Sequence, residues 1–461
     1  MASTPLTTFL QLAHGGLSGK NGEEHEPFRT ALHCAANFLL VKDTGRIRLY
    51  SISHNSIFSV NLKLKRAILD FMADKANITP KVLKWARESA RMTVETAASK
   101  VSVAEEKLNE WEGGLSQPTI RQAEILAKAY RRPFALFFLP DVPKDFQPLQ
   151  DFRRKDSKPL GTGSIFIIRE IQLKQAWISD VFQEEKENPL PFIGKFNIQS
   201  DPVEVASDIL NTLQIDPSKY TKDNPIKEWI DKAEAKGIFI SRTSFIHPKL
   251  KLDSDELQGF SIADKFAPFV FVNSEDWNAP QLFTLVHELV HIWIAASGIS
   301  NEIGPEIKHK DKFHPIELFC NEVAANALMP FGIMTSLRGS IFESANSLFK
   351  QSRSLGVSSF AFLVRALNLK LISFDRYRKL KSEADAEFTA FLKREDEKSA
   401  KQKQKKGGPD YYLLLANKNS HLFTHVVMNA FRGGAIEPTQ ASSLLNTQVN
   451  NFAKLEAFLH Q

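Results

Sequence analysis

The sequence predicts a multidomain chain: an all-α domain of short helices, then an α+β domain, then a C-terminal helical module. Three observations predict it. Between Thr79 and Tyr130, N-cap residues and glycines punctuate the chain at the spacing of short helices. Between residues 203 and 300, helical spacing gives way to short β-branched and aromatic runs bounded by polar residues. Within that second region, Phe283-Thr-Leu-Val-His287-Glu288-Leu-Val-His291-Ile-Trp293 reads as a helix that is apolar nearly all round yet carries H-E-x-x-H. A chain of 461 residues is long enough for several such domains.

Composition narrows the class. The net charge of +6 permits contact with nucleic acid without arguing for it, because much of it sits in one lysine run, Lys398 to Lys406. Cys34 and Cys320 are too few for a disulfide framework, so a reducing, cytoplasmic setting is expected. No apolar window reaches the length of a membrane span and no secretory leader is evident, so no membrane partner is expected.

Residues 1–71 show no sustained period and are assigned as an N-terminal extension or translated upstream sequence, the functional part being expected to start near Met72. Residues 72–145 form the first domain. Thr79 and Pro80 open a helix through Leu83, Trp85, Ala86 and Ala90. Thr93 caps a second, holding Ala97, Ala98 and Val101. Ser102 and Glu105 form a capping box for a third, through Leu108 and Trp111, which Gly113-Gly114 stops. Pro118 and Thr119 start a fourth, through Ile120, Ala123, Leu126 and Tyr130. Two short helices joined at Val101-Ser102 fit a helix-turn-helix. The stretches Thr93 to Ser102, Leu108 to Gly114 and Gln117 to Thr119 resemble the Xre or phage-repressor class. That resemblance implies double-stranded DNA as a partner through residues 79–130, with Thr93, Ser102, Lys107 and Asn109 as candidate contacts. Glu105 and Glu106 make the same surface acidic for an approach to phosphates, so a protein-contact module is the alternative.

Arg131 to Pro140 is an apolar plug bounded by prolines, expected between domains. Residues 146–202 are a linker and a helix through Ile167, Ile171, Leu173, Trp177 and Val181. Residues 203–375 form the α+β domain, with helices from Val203 and Ile226 and strands at Gly237 to Ser241, Gly259 to Ala263 and Ala267 to Asn273. Pro280 then begins the H-E-x-x-H helix.

Histidines four apart lie one above the other on a helix, so His287 and His291 can share one metal ion. Glu288, one residue on, is placed to take a proton from a water nucleophile. A third ligand spaced three and six residues beyond His291 is excluded, because Ile294 and Ser297 stand there. The next helix, Pro315 to Pro330, offers Glu317 as ligand, with Asn321 on the same face to orient a histidine. Glu322, His309 and His314 are the rivals.

With both helices in view, the chain resembles the ImmA/IrrE family of zinc metallopeptidases. The resemblance lies in Gly259-Phe-Ser-Ile-Ala-Asp264, Ala267-Pro-Phe-Val-Phe-Val-Asn273, Phe283 to His291, and Glu317 to Pro330. It spans about residues 78 to 460, and the order helix-turn-helix, linker, peptidase, C-terminal helices is similar to a fused subgroup. It implies a zincin-like (gluzincin) domain holding one zinc ion, and an endopeptidase that cleaves or inactivates a repressor-like regulatory protein. The alternative is a DNA-binding or antitoxin-like regulator whose peptidase-like domain senses and turns over little. An extended substrate is expected to add to an edge strand such as Phe269 to Asn273, and a homodimer is an expected assembly.

Residues 344–369 resemble another helix-turn-helix, expected to serve as scaffold at a domain edge rather than to contact DNA. Residues 376–408 read as a charged linker, and residues 409–461 as a C-terminal helical module broken at Arg432-Gly-Gly434 and capped at Thr439.

Overall fold

Helical and strand periodicities alternate along the sequence, and the chain is correspondingly mixed α/β. A computed structural model describes residues 38–43, 46–51, 74–144, 149–152, 157–221, 224–300, 314–403 and 410–459. Most of the proposed extension, residues 1–71, therefore lies outside the described residues, apart from an antiparallel pair, β1 (Phe38–Asp43) and β2 (Arg46–Ser51). Among the described residues no helix is long and apolar enough to cross a membrane.

Contacts divide the chain into two compact units, one comprising residues up to Leu83 with Ala98–Ala129 and Pro133–Pro140, the other Lys84–Ala97, Tyr130–Arg132 and Asp141 onward. Four short helices run through the sequence here: α1 (Pro80–Ser89), α2 (Val94–Val101), α3 (Glu105–Glu112) and α4 (Ile120–Ala129). Thr93 Oγ1 accepts from the Thr96 amide at 3.1 Å, which is the expected cap of α2. Ser102 is not a cap. Its φ of 55° places it in a left-handed turn, and Ala104 precedes α3 without a side-chain cap. The reciprocal capping pair is Thr119 with Gln122: the Thr119 amide donates to Gln122 Oε1 at 2.9 Å, and the Gln122 amide to Thr119 Oγ1 at 3.2 Å. Within the first unit, the Ala76 amide donates to Pro118 O at 2.9 Å and the Thr79 amide to Phe137 O at 2.8 Å. The proline-bounded plug is a 3-10 turn, Phe134–Phe138, that buries Phe137 but leaves Phe138 46 % exposed.

The second unit is built on a five-stranded mixed sheet ordered β3 (Gln150–Asp151), β9 (Gly298–Ser300), β7 (Gly259–Ile262), β8 (Phe269–Asn273), β4 (Phe239–Thr243). Strand β7 is antiparallel to both its neighbours; β4 is parallel to β8, and β3 to β9. A short antiparallel pair, β5 (Phe245–His247) and β6 (Leu250–Lys251), stands apart from the sheet. Phe269 to Asn273 is therefore interior, not the edge strand expected for substrate addition; its backbone is committed on both sides. All five of its residues are buried, as its unbroken apolar run requires. Val270 and Val272 belong to the main core with Trp229 of α7 (Pro225–Glu234), Val205 and Ile209 of α6 (Pro202–Leu213), and Leu285, Leu289 and Trp293. Alternate residues face the other way. There Phe269 stacks on Phe239 at 4.8 Å and meets Phe423 edge-on at 5.9 Å, while Trp177 of α5 (Thr162–Glu184) meets Phe423 at 5.8 Å. On α5, Ile167, Ile171 and Ile178 are buried, whereas Leu173, expected inside, is 58 % exposed.

The H-E-x-x-H helix is α8 (Asn278–Trp293), two residues earlier in its start than Pro280, and α9 is Pro315–Leu328. Helices α10 (Phe331–Ser336), α11 (Ala345–Ser354) and α12 (Ser359–Asn368) follow. The charged stretch is helical as far as Lys403, the rest lying outside the described residues: α13 (Phe374–Lys403) buries Tyr377, Leu380 and Ala384 along one stripe. The C-terminal module is α14 (Tyr411–Asn419), α15 (His421–Arg432), α16 (Pro438–Leu445) and α17 (Phe452–Leu459). Helix α16 is preceded by Glu437, so Thr439 lies inside its first turn and does not cap it.

Candidate metal centre

Helix α8 is buried continuously from Gln281 to Trp293, and His287, Glu288 and His291 are 0 % exposed. Polar side chains so placed must find partners or a ligand. His287 and His291 lie on one face, their Nε2 atoms 3.2 Å apart. Helix α9 begins with His314 as N-cap and Pro315 at its first position, and Glu317 in its first turn reaches across to both rings. Glu317 Oε2 is 3.2 Å from His287 Nε2, and Oε1 is 3.2 Å from His291 Nε2. Ala324, Ala325 and Ala327 are small enough for the helices to approach this closely. Asn321, one turn after Glu317, accepts at Oδ1 from His287 Nδ1 at 3.0 Å. That contact leaves His287 Nε2 facing the other three atoms.

Two imidazole nitrogens and two carboxylate oxygens thus converge on one point away from water. Without a proton or cation between them this grouping is repulsive. A tetrahedral zinc centre with ligand distances of about 2.0–2.2 Å has ligand–ligand edges of roughly 3.3–3.6 Å, close to the spacings here. The donor set fits zinc in type as well as in spacing. Burial alone would raise the Glu317 carboxyl, but the His287 and His291 imidazoles outweigh it and hold it down to about 2, so Glu317 is an anion.

Cys320 is a donor that the sequence reading missed. Ligating atoms of His287, His291 and Cys320 lie within 4.8 Å of one another. The Glu317 oxygens stand 3.2 Å from each histidine Nε2 and are a further donor at the same point. Burial, then the negative charges of Glu317 and Glu288, push the Cys320 thiol well above its ordinary range. Among the described residues, the rivals considered from sequence do not converge. Glu322 is exposed, His314 caps α9 and packs on Phe152, and His309 lies outside the described residues.

Glu288 sits beside the cluster rather than in it. Neither of its oxygens closes a hydrogen bond; the hydroxyls of Ser261 and Ser300 are its nearest polar neighbours. Burial raises its carboxyl to about 8. Space for it depends on Gly259, where a Cβ would stand 3.0 Å from Glu288 Oε1 and 2.8 Å from Thr284 Cγ2. Ser300 donates to Glu317 Oε1 at 3.3 Å, tying β9 to the ligand carboxylate.

The four candidate DNA contacts lie far along the chain from this cluster. Thr93, Ser102, Lys107 and Asn109 are all exposed. Thr93 is engaged as a cap, and Lys107 pairs with Glu110 at 2.6 Å.

No curated protein matches the chain. The strands β4, β7, β8 and β9 and both site helices lie inside residues 233–366, which match the family model of the IrrE N-terminal-like domain, Peptidase_M78, and so point to a metallopeptidase domain.

Proposed function

We propose that the chain is a zinc-dependent endopeptidase acting on a regulatory protein of the repressor type. One observation carries the peptidase reading: His287, His291 and Glu317 direct four donor atoms to one buried point, with the unbonded Glu288 carboxylate next to it, inside a metallopeptidase-family match. A zinc ion held by these three residues supplies Lewis acidity toward a water molecule and a peptide carbonyl. Asn321 fixes the His287 ring through Nδ1, keeping Nε2 as the donor atom. Glu288 accepts a proton from the attacking water as its oxygen bonds to the carbonyl carbon. The same carboxyl then gives that proton to the departing amine as the C–N bond breaks. For the first transfer Glu288 would act as the carboxylate, the form that a bound cation beside it would favour over burial. The repressor-type target is supported only by the order of segments, which resembles regulators that couple a helix-turn-helix to such a domain.

The test is turnover of a proteome-derived peptide library, with new N-termini read by mass spectrometry. Wild type loaded with zinc is expected to generate them and Glu288→Gln to generate at most about a thousandth as many. Equal cleavage by the two would refute the role of Glu288.

A further inference from the structure

Among the described residues, His287, Glu288 and His291 are fully covered. Part of the cover is a short piece of the chain itself, from the stretch between the first helices and α5. Gln150 and Asp151 form β3, a two-residue strand lying parallel on β9, with Gln150 opposite Gly298 and Asp151 opposite Ile299. The next amide, Phe152 N, donates to Ile299 O at 3.1 Å. Both strand side chains are exposed, whereas Phe152 is 2 % exposed. The Phe152 ring stacks on the His291 imidazole, 5.3 Å between centroids and 10° from parallel, and tilts against His314 at 5.2 Å. Gly298 is a condition of this seating. A Cβ there would lie 2.1 Å from Phe152 Cε2 and 2.9 Å from Gln150 O.

Two separate features therefore meet at one place. The side of β9 that β3 covers would, without β3, offer backbone donors and acceptors to an added strand. Beside it, a recess walled by a ligand histidine takes a flat aromatic side chain. We propose that the β9 edge and this recess form the peptide-binding site, selecting an extended segment with an aromatic residue, and that residues 150–152 occupy it in cis. A substrate then enters only after this segment leaves. That the peptide displacing this segment is a substrate rests on the peptidase reading above; the seat itself does not. A tethered occupant competes at an effective concentration of order millimolar, so a free peptide fails against it until its anchor is removed.

The experiment uses the full chain as wild type, Phe152→Ala and Phe152→Leu. Its probe is a fluorescein-labelled peptide with the sequence of residues 147–154, alongside the same peptide with alanine replacing its phenylalanine. Fluorescence anisotropy is expected to show Phe152→Ala binding the phenylalanine peptide at least tenfold tighter than wild type does, and tenfold tighter than it binds the alanine peptide. Phe152→Leu, with the recess partly filled, falls between. A chelator is expected to strip zinc at least tenfold faster from Phe152→Ala than from wild type. Binding by Phe152→Ala no tighter than wild type overturns the proposal. So does self-cleavage of wild type within residues 147–154, which would make the segment a substrate, and so does loss of cooperative melting in both variants, which would make it part of the fold. The peptide contrast in a chain that holds no zinc would refute the peptidase reading alone. Its absence in a chain that holds zinc would refute the seat alone.

Discussion

Replacing Glu170 by glutamine is expected to destabilise the second unit more than any other single polar substitution outside the metal centre. Glu170 on α5 is the hub of a buried charge network. Lys174 Nζ lies 2.9 Å from its Oε1, Lys418 Nζ 3.1 Å and Arg131 Nη1 3.2 Å from its Oε2, and Asn446 Nδ2 donates to Oε1 at 2.8 Å. Lys174 also donates to Asn419 Oδ1 at 2.8 Å, so the network ties α5 to the C-terminal helices. Burial alone would raise the Glu170 carboxyl, but the Lys174 and Lys418 ammonium groups outweigh it and hold it at about 2, against an ordinary 4.5. A difference of about 2.5 at about 1.4 kcal/mol each corresponds to roughly 3 kcal/mol. Burial pulls Lys174 the other way, below its ordinary range, so the net worth of the pair is smaller than that figure. Removing the carboxylate alone strands two ammonium groups, 3 % and 9 % exposed, and costs about 3–5 kcal/mol. Urea unfolding at pH 7 measures it, and Lys174→Met in the Glu170→Gln background is expected to recover at least about 1 kcal/mol. The depressed carboxyl stabilises fully above pH 4.5 and loses that contribution as pH falls toward 2, so the deficit of Glu170→Gln narrows over that window. A deficit below about 1 kcal/mol at pH 7, or no recovery in the double variant, would refute the network.

Three further outcomes follow from the metal centre. Asn321→Ala removes the acceptor of His287 Nδ1 and is expected to weaken zinc binding about 10- to 100-fold, measured by competition with a chromophoric chelator. Gly259→Ala forces a methyl group within 3.0 Å of Glu288 Oε1; library turnover should fall about tenfold or more while bound zinc is unchanged. For metal-free protein, burial holds the Glu288 carboxyl at about 8, so the folded state keeps the proton that the unfolded chain releases near 4.5. Its stability should decline from pH 4.5 to 8 and level off above, a slope that thermal melts of Glu288→Gln should show to be reduced.

The site was legible where its logic is local. Spacing of four puts His287 over His291, the apolar flanks require burial, and spacing of four again pairs Glu317 with Asn321 on the next helix. Glu322, five residues beyond Glu317, rotates onto the solvent side. Cys320 was missed because a cysteine on an apolar face reads as core, which is also how its raised thiol behaves. The positions of β4, β7 and β8 were readable from composition, but β9 and β3, and the strand order, were not. The parallel pairing of β4 with β8, which makes β8 interior, is a long-range choice. Phe152 lies in a polar, charged stretch that reads as linker, and only the fold brings it to His291. Helix α13 left a signal that charge obscured: Tyr377, Leu380 and Ala384 recur at helical spacing. Ser102 satisfies the capping-box pattern with Glu105, yet its left-handed backbone takes the hydroxyl out of capping position.

Metal content tests the central claim most directly. Purified wild type is expected to hold one zinc ion per chain by elemental analysis, Cys320→Ser to keep it, and His287→Ala and Glu317→Gln to lose it after dialysis against a mild chelator. Wild type that neither holds zinc nor takes it up on titration would contradict the account, as would zinc retained by Glu317→Gln and lost by Cys320→Ser.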